Sequence, residues 1–268
     1  MTRVAIAQMV SSANVAENLT EIERLIIKAR EEEAALVVLP ENCAFMGMHE
    51  LDKIKMAEPY GCGPVQERIS QLAKKIGIWV IAGTVPVKGS GSKVRASSIV
   101  YDNQGQNVAR YDKIHLFDVQ VSDKEAHQES SSIERGSELV VVDTPVGKIG
   151  LTVCYDLRFP ELYQQLMFKG AQLFTVPSAF TAITGLAHWE TLLRARAIEN
   201  LCYVLAPNQG GVHENGRHTY GHSMVIEPWG TVLVQKETKA GIITADIDLD
   251  RLKQLRRQFP CVDHHVLV

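Results

Sequence analysis

Three side chains in this sequence combine chemical reactivity with placement at the end of an apolar run. In "GKIGLTVCYDLRFPE" the run stops on Cys154 and turns at once to Tyr155, Asp156 and Arg158. In "ALVVLPENCAF" it stops at Leu39, and Pro40 and Glu41 follow. In "VARYDKIHLF" Lys113 sits between Val108 and the Ile114-His115-Leu116-Phe117 segment. Taken singly, each has an ordinary explanation. Cys154 fits a small buried side chain, and Glu41 a rim residue. Lys113 must either snorkel out or be paired, because an unpaired buried ammonium is costly. Taken together they fit acyl chemistry. A carboxylate can take a thiol proton, the thiolate can attack a carbonyl carbon, and an ammonium can hold the oxyanion that develops. A sharp turn after Cys154 would add the Tyr155 backbone N–H as a second oxyanion donor.

Residues tens of positions apart meet only if the ends of neighbouring strands converge. About ten Val/Ile/Leu-rich runs recur, among them "VAIAQM", "ALVVLPE", "WVIAGTVP", "SSIVYD", "AQLFTVPS", "CYVLAPNQ" and "GIITADID". Several are too apolar for a sheet with one wet face. Amphipathic spacing predicts helices over 15–34, 65–75, 161–168, 187–200 and 248–257. Asn14 with Glu17 looks like a capping box at the first, and Gly77 ends the second. "DNQGQNVARYD" and "DTPVGKIGL" read as turns between antiparallel strands. The pattern predicts a layered α/β domain in which two sheets pack face to face with helices outside. No linker, repeat or low-complexity tract divides it, so residues 1–268 are expected to form a single domain. The long polar segment 118–138 is expected to be functional rather than slack.

The chain has 268 residues, 46% hydrophobic and 22% charged, with formal net charge -3. That composition buries a large core and offers no basic surface for nucleic acid or anionic membrane. No apolar stretch approaches the ~20 residues of a membrane span. The N-terminal apolar run is too short for a signal-peptide core, which points to a cytoplasmic protein. Five cysteines without a CxxC suggest neither a disulfide framework nor a zinc ribbon. With no HExxH, histidines not grouped at ligand spacing and no nucleotide-type glycine loop, neither a metal nor a cofactor is expected.

"LPEN", "YDKIHLFD" and "GLTVCYDLRFPEL" resemble the three signature regions of the nitrilase superfamily of carbon–nitrogen hydrolases. The resemblance covers nearly the whole chain. It implies a four-layer α-β-β-α sandwich, pairing into a homodimer, and a catalytic Glu41, Lys113 and Cys154. It also matches a second glutamate, on the loop between Lys and Cys, to Glu129 in "HQESSSIERG". "PSAFTAITGLAHWETLLRARAIEN", "YGHSMVIEPWG" and "LRRQFP" resemble the Nit amidase branch, which acts on deaminated glutathione or on 2-oxoglutaramate-like acids. Tyr155-Asp156 replaces the Trp-Glu that usually follows the nucleophile in enzymes acting on nitriles.

The resemblance implies attack of Cys154 on an amide, loss of ammonia and hydrolysis of the thioester. Glu41 would act as general base and acid, with Lys113 and the Tyr155 N–H at the oxyanion and Glu129 orienting Lys113. The expected substrate is a small amide that bears a carboxylate. The deaminated-glutathione type leads, followed by a short omega-amide, another amidase or carbamoylase substrate, and a binding scaffold with little chemistry. Arg158 either pairs with the substrate carboxylate or is locked to Asp156 or Glu161. His188 and Trp189, at an expected helix start, either line the pocket or pack structurally. His222 is expected to be structural, and Cys43, Cys62 and Cys202 core or near-core residues.

Overall fold

The structure is a computed structural model and describes residues 1–123 and 125–266. The last two residues of "CVDHHVLV" lie outside the described residues. The chain opens with β1 (Thr2–Gln8), α1 (Val15–Glu31), β2 (Leu36–Val38), α2 (Asp52–Met56) and α3 (Pro64–Ile76). Strands β3 (Trp79–Lys88), β4 (Val94–Tyr101), β5 (Asn107–Asp112), β6 (Asp118–Ser122), β7 (Glu125–Gln128), β8 (Val141–Thr144) and β9 (Gly147–Leu151) follow. Then come α4 (Pro160–Phe168), β10 (Leu173–Thr175), α5 (Ala182–Asn200), β11 (Tyr203–Ala206), β12 (Gly210–Val212) and β13 (His218–Tyr220). The last elements are β14 (Ser223–Ile226), β15 (Val232–Lys236), β16 (Gly241–Ile247) and α6 (Leu249–Gln258).

Two six-stranded sheets carry the fold, in the orders β16-β1-β2-β3-β4-β5 and β15-β14-β11-β10-β9-β8. Each has parallel strands at its centre, β1-β2-β3 and β9-β10-β11, and antiparallel partners at its edges. Side-chain alternation explains why both faces of the first sheet are apolar. Val4, Ile6, Leu36, Val38 and Ile81 pack in one cluster with Ile149, Leu151 and Leu173 of the second sheet. Their neighbours Ala5, Ala7, Val37, Leu39, Val80 and Ala82 pack instead under α1 and α3, against Ile22, Leu25, Ile69 and Leu72. On the far side, Phe174 of β10 meets Tyr163 of α4 edge-on at 5.1 Å between ring centroids. The result is the four-layer α-β-β-α sandwich.

Local chemistry sets the helix limits. Asn14 Oδ1 accepts from the Ala16 and Glu17 N–H groups, while the Asn14 side-chain amide donates to Glu17 Oε1 at 2.9 Å. Gly77 ends α3 in the left-handed conformation. α5 begins at Ala182, five residues before the sequence-based limit. Thr181 caps it by accepting from the Thr184 N–H, and Gly185 is tolerated because the Tyr220 side chain lies where a Cβ would sit. His188 and Trp189 are therefore in the second turn, not at the helix start. The polar 118–138 segment is not a structureless loop. It holds the β6–β7 hairpin and a 3₁₀ turn at Glu129–Ser131. Cys43 and Cys202 are buried, but Cys62, in a turn between Gly61 and Gly63, is exposed.

Candidate active site

Two strand ends of opposite sheets face each other at one end of the sandwich. β2 runs into Leu39-Pro40-Glu41, and Gly83 of β3 lies so close to the Leu39 and Pro40 carbonyls that no Cβ fits between them. Asn42 then takes a left-handed φ of 57° and donates its N–H to Thr84 Oγ1 at 2.8 Å. β9 runs through Thr152-Val153 into Cys154, whose φ is 48°. That region is uncommon for a residue with a Cβ and must be held by its surroundings. The Cys154 N–H donates to Pro177 O at 2.9 Å, and the Val153 N–H to Asp156 Oδ2 at 2.9 Å. Asp156 is fully buried and ties this elbow to the next sheet. It accepts from Tyr111 Oη at 2.7 Å and from the His115 N–H at 3.0 Å, and contacts His115 Nδ1 at 2.7 Å. Tyr111 and His115 flank Lys113, so one carboxylate fixes Cys154 and Lys113 relative to each other.

Lys113 is 2% exposed. Its Nζ lies 2.8 Å from Glu41 Oε1 and 2.9 Å from both carboxylate oxygens of Glu129. The pairing alternative for this lysine therefore holds, and the snorkelling one does not. Glu41 Oε2 accepts the Ala179 N–H at 2.9 Å, and Glu129 Oε2 the Phe117 N–H at 2.7 Å. Both carboxylates are thereby aimed. Burial alone would depress the Lys113 ammonium, but Glu129 and Glu41 hold its pKa well above the ordinary range. Burial would raise the Glu129 carboxyl, and Lys113 with Lys53 holds it low instead. Burial pushes the Cys154 thiol up to about 12, with Glu41 adding to the rise and Lys113 opposing it. A thiol so placed keeps its proton at neutral pH and needs a base in contact to release it. Among the described residues no backbone carbonyl takes the Tyr155 N–H, which is left over as a donor beside the thiol.

Two small cavities of about 20 and 10 Å³ meet at Cys154. The first is walled by Glu41, Lys113 and Glu129, and the second by Phe117, Tyr155, Arg158 and Phe180. An outer groove of about 790 Å³ shares Glu50, Lys53, His127 and Arg217 with the first. Arg158 reaches the second cavity and is locked to neither Asp156 nor Glu161. Its guanidinium lies 3.3 Å from His188 Nδ1 and over the Phe180 ring at 5.3 Å. His188 is exposed and touches the site only through that contact. Trp189 is fully buried behind Phe180, with ring centroids 5.0 Å apart and its indole N–H donated to His222 O at 2.8 Å. Of the two readings open for this pair, packing is the one the geometry favours for Trp189. His222, at φ 53°, is held by Tyr220 through a ring stack and its Nδ1 contact to Tyr220 O, in keeping with a structural residue.

Sequence reasoning missed Arg217, which borders all three cavities, and the Ala179 and Phe117 N–H donors. The only signal for the donors was the position of "PSAF" just past the β10 run. Among the described residues, no group of three or more His, Cys, Asp or Glu side chains is arranged to hold a metal ion.

Residues 3–257 match the carbon-nitrogen hydrolase family. A protein of Synechocystis sp. named deaminated glutathione amidase is 44% identical over 268 residues, covering 98% of this chain and 98% of its own. The crystal structure of the C. elegans NitFhit protein aligns with TM-score 0.93 at 40% identity, covering 99% of this chain and 65% of that one. Saccharomyces cerevisiae Nit3, a member of branch 10 of the nitrilase superfamily, aligns with TM-score 0.87 at 30% identity, covering 97% and 94%.

Proposed function

The chain belongs to the carbon–nitrogen hydrolase family, enzymes that hydrolyse amides, and we propose that it cleaves the amide of a small carboxylate-bearing acid through a Cys154 thioester. The observation that carries this is the Lys113 ammonium held at 2.8–2.9 Å between two buried carboxylates, beside a left-handed cysteine. Cys154 Sγ attacks the amide carbon as Glu41 takes the thiol proton. The oxygen becomes an oxyanion that Lys113 Nζ and the Tyr155 N–H stabilise. Glu41 returns the proton to the departing nitrogen, which leaves as ammonia from a primary amide or as a larger amine. Glu41 then takes a proton from water, hydroxide attacks the thioester, and the thiolate recovers the proton as the acid is released. Glu129 orients Lys113, and Arg158 meets the substrate carboxylate. No cofactor enters any step. A binding scaffold with little chemistry would have no use for a buried Glu-Lys-Glu set against a thiol.

The substrate class is the deaminated-glutathione type. Relatives more than 40% identical over the full chain bear the name deaminated glutathione amidase. A groove of about 790 Å³ beside two very small cavities suits a compact acyl part and a bulky leaving amine. A short omega-amide would leave that groove empty. Comparing kcat/KM for deaminated glutathione and 2-oxoglutaramate, read as release of the 2-oxo acid, decides between them. Preference for the first by tenfold or more (about 1.4 kcal/mol) is expected, and preference for the second would replace the reading with an omega-amidase.

Residues 1–268 act as one domain, as a homodimer in the cytoplasm. Ile183, Leu186 and Ile198 are exposed on α5, and the exposed Trp229 and Phe259 rings meet edge-on with centroids 5.4 Å apart. Ile198 borders Gly230, next to Trp229, so the C-terminal end of α5 carries an apolar patch suited to a second copy. Among the described residues no helix is long and apolar enough to cross a membrane.

A further inference from the structure

Arg217 lies in the loop between β12 and β13, far from the three signature segments. One of its terminal nitrogens donates to Ala179 O, and its Nε is buried without a hydrogen-bond partner. Among the described residues no carboxylate lies within 4.0 Å of its guanidinium. Glu50, which lines the same cavity, is engaged by Lys53 at 3.1 Å. A buried N–H with nothing to bind is costly and calls for an occupant. Arg217 also borders the small cavity that Arg158 and Phe180 line next to Cys154. Arg158 too has no carboxylate partner within 4.0 Å among the described residues. Two guanidinium groups thus border one small space beside Cys154.

Resting on the amide-hydrolase reading above, we propose that Arg217 is a specificity-determining residue that binds the carboxylate of the acyl part, together with Arg158. The planar fork of a guanidinium offers two parallel N–H groups to a carboxylate. One terminal nitrogen of Arg217 is fixed to Ala179 O, and its Nε has no partner, so the guanidinium keeps donors for a carboxylate that settles against it. Ala179 also donates its N–H to Glu41. Substrate capture at Arg217 and alignment of the base therefore share one residue. Acids with a carboxylate at the far end of the acyl chain are favoured, and neutral amides of equal length are discriminated against.

Three amides separate the possibilities: succinamate, with a carboxylate on the acyl part; butyramide, its neutral counterpart; and butyrylglycine, with a carboxylate on the amine side. In Arg217→Gln the succinamate-to-butyramide ratio of kcat/KM should fall by about thirty-fold or more, mainly through KM. Arg217→Lys should recover part of it, since the charge remains but the fork is lost. A displaced Glu41 would slow all three amides and leave the ratio alone, and that outcome overturns the proposal. So does a fall confined to the butyrylglycine-to-butyramide ratio. Titration of succinate and butyrate into the Cys154→Ala protein, with and without Arg217→Gln, tests the same carboxylate site without turnover. Selective loss of succinate binding is expected and equal loss of both acids contradicts the site. Failure of the wild type to hydrolyse any amide would sink the enzymatic reading alone.

Discussion

Replacing Lys113 by Met removes the cation that lies between Glu41 and Glu129 and leaves two carboxylates buried together. At separations of 2.8–2.9 Å each contact carries about 6 kcal/mol of attraction at an effective dielectric of about 20, most of it offset by desolvation. Breaking a buried pair by removing one partner costs about 3–5 kcal/mol, and loss of an oxyanion donor lowers kcat by about 10²–10³. The pH dependence gives the sharper test. In the wild type the Glu129 carboxyl is held below its ordinary 4.5 by Lys113 and Lys53 against burial. A lowered carboxyl contributes stability that is present above 4.5 and lost as pH falls through the lowered value. In Lys113→Met, burial, the largest influence on Glu129, outweighs Lys53 and the Phe117 N–H, and the carboxyl rises. A raised carboxyl destabilises the fold fully above that value, and the penalty fades as pH falls from it to the ordinary 4.5. Urea unfolding should therefore show the variant's deficit at its largest near pH 8 and shrinking toward pH 5, by about 1.4 kcal/mol for each unit of upward shift. An equal deficit at both pH values would refute the buried-pair account. A normal kcat with a raised KM would make Lys113 a ground-state binder.

Glu41→Gln preserves shape but removes the base, so hydrolysis of a small primary amide, followed as ammonia release, should fall by about 10²–10⁴-fold; a near-normal rate contradicts that role. With the Cys154 thiol pushed up to about 12, its alkylation in the free enzyme should keep rising through pH 9. Peptide mass spectrometry separates it from exposed Cys62, and a plateau near pH 7 would indicate a resting thiolate. Ile198→Glu places a charge on a side chain 46% exposed in the apolar patch. It should convert the proposed dimer to monomer in sedimentation with little change in the monomer's circular dichroism, whereas an unchanged mass would move the interface elsewhere.

Chain punctuation made Cys154 and Glu41 legible, because apolar runs that stop on a reactive group are what strand ends at a site look like. Lys113 stood out as a charge inside an apolar segment. Burying it requires counter-charge, and Glu41 and Glu129 supply it. Glu129 itself carried no local signal: it lies in a polar hairpin-and-turn segment, and only the family resemblance picked it out. Arg217 was hidden for a similar reason, since "HENGRHTY" reads as an ordinary loop and its orphaned Nε exists only in three dimensions. The early start of α5 was masked by Gly185, which is there for Tyr220 rather than as a breaker. That shift moved Trp189 from a candidate pocket wall to the layer behind Phe180.

Acid quenching of the enzyme during turnover, followed by mass spectrometry of the peptide that contains Cys154, tests the thioester most directly. The account predicts an added acyl mass on Cys154, absent in Cys154→Ala, and removed by mild hydroxylamine. Acylation at another residue, or hydrolysis by Cys154→Ala at a rate near that of the wild type, would contradict it.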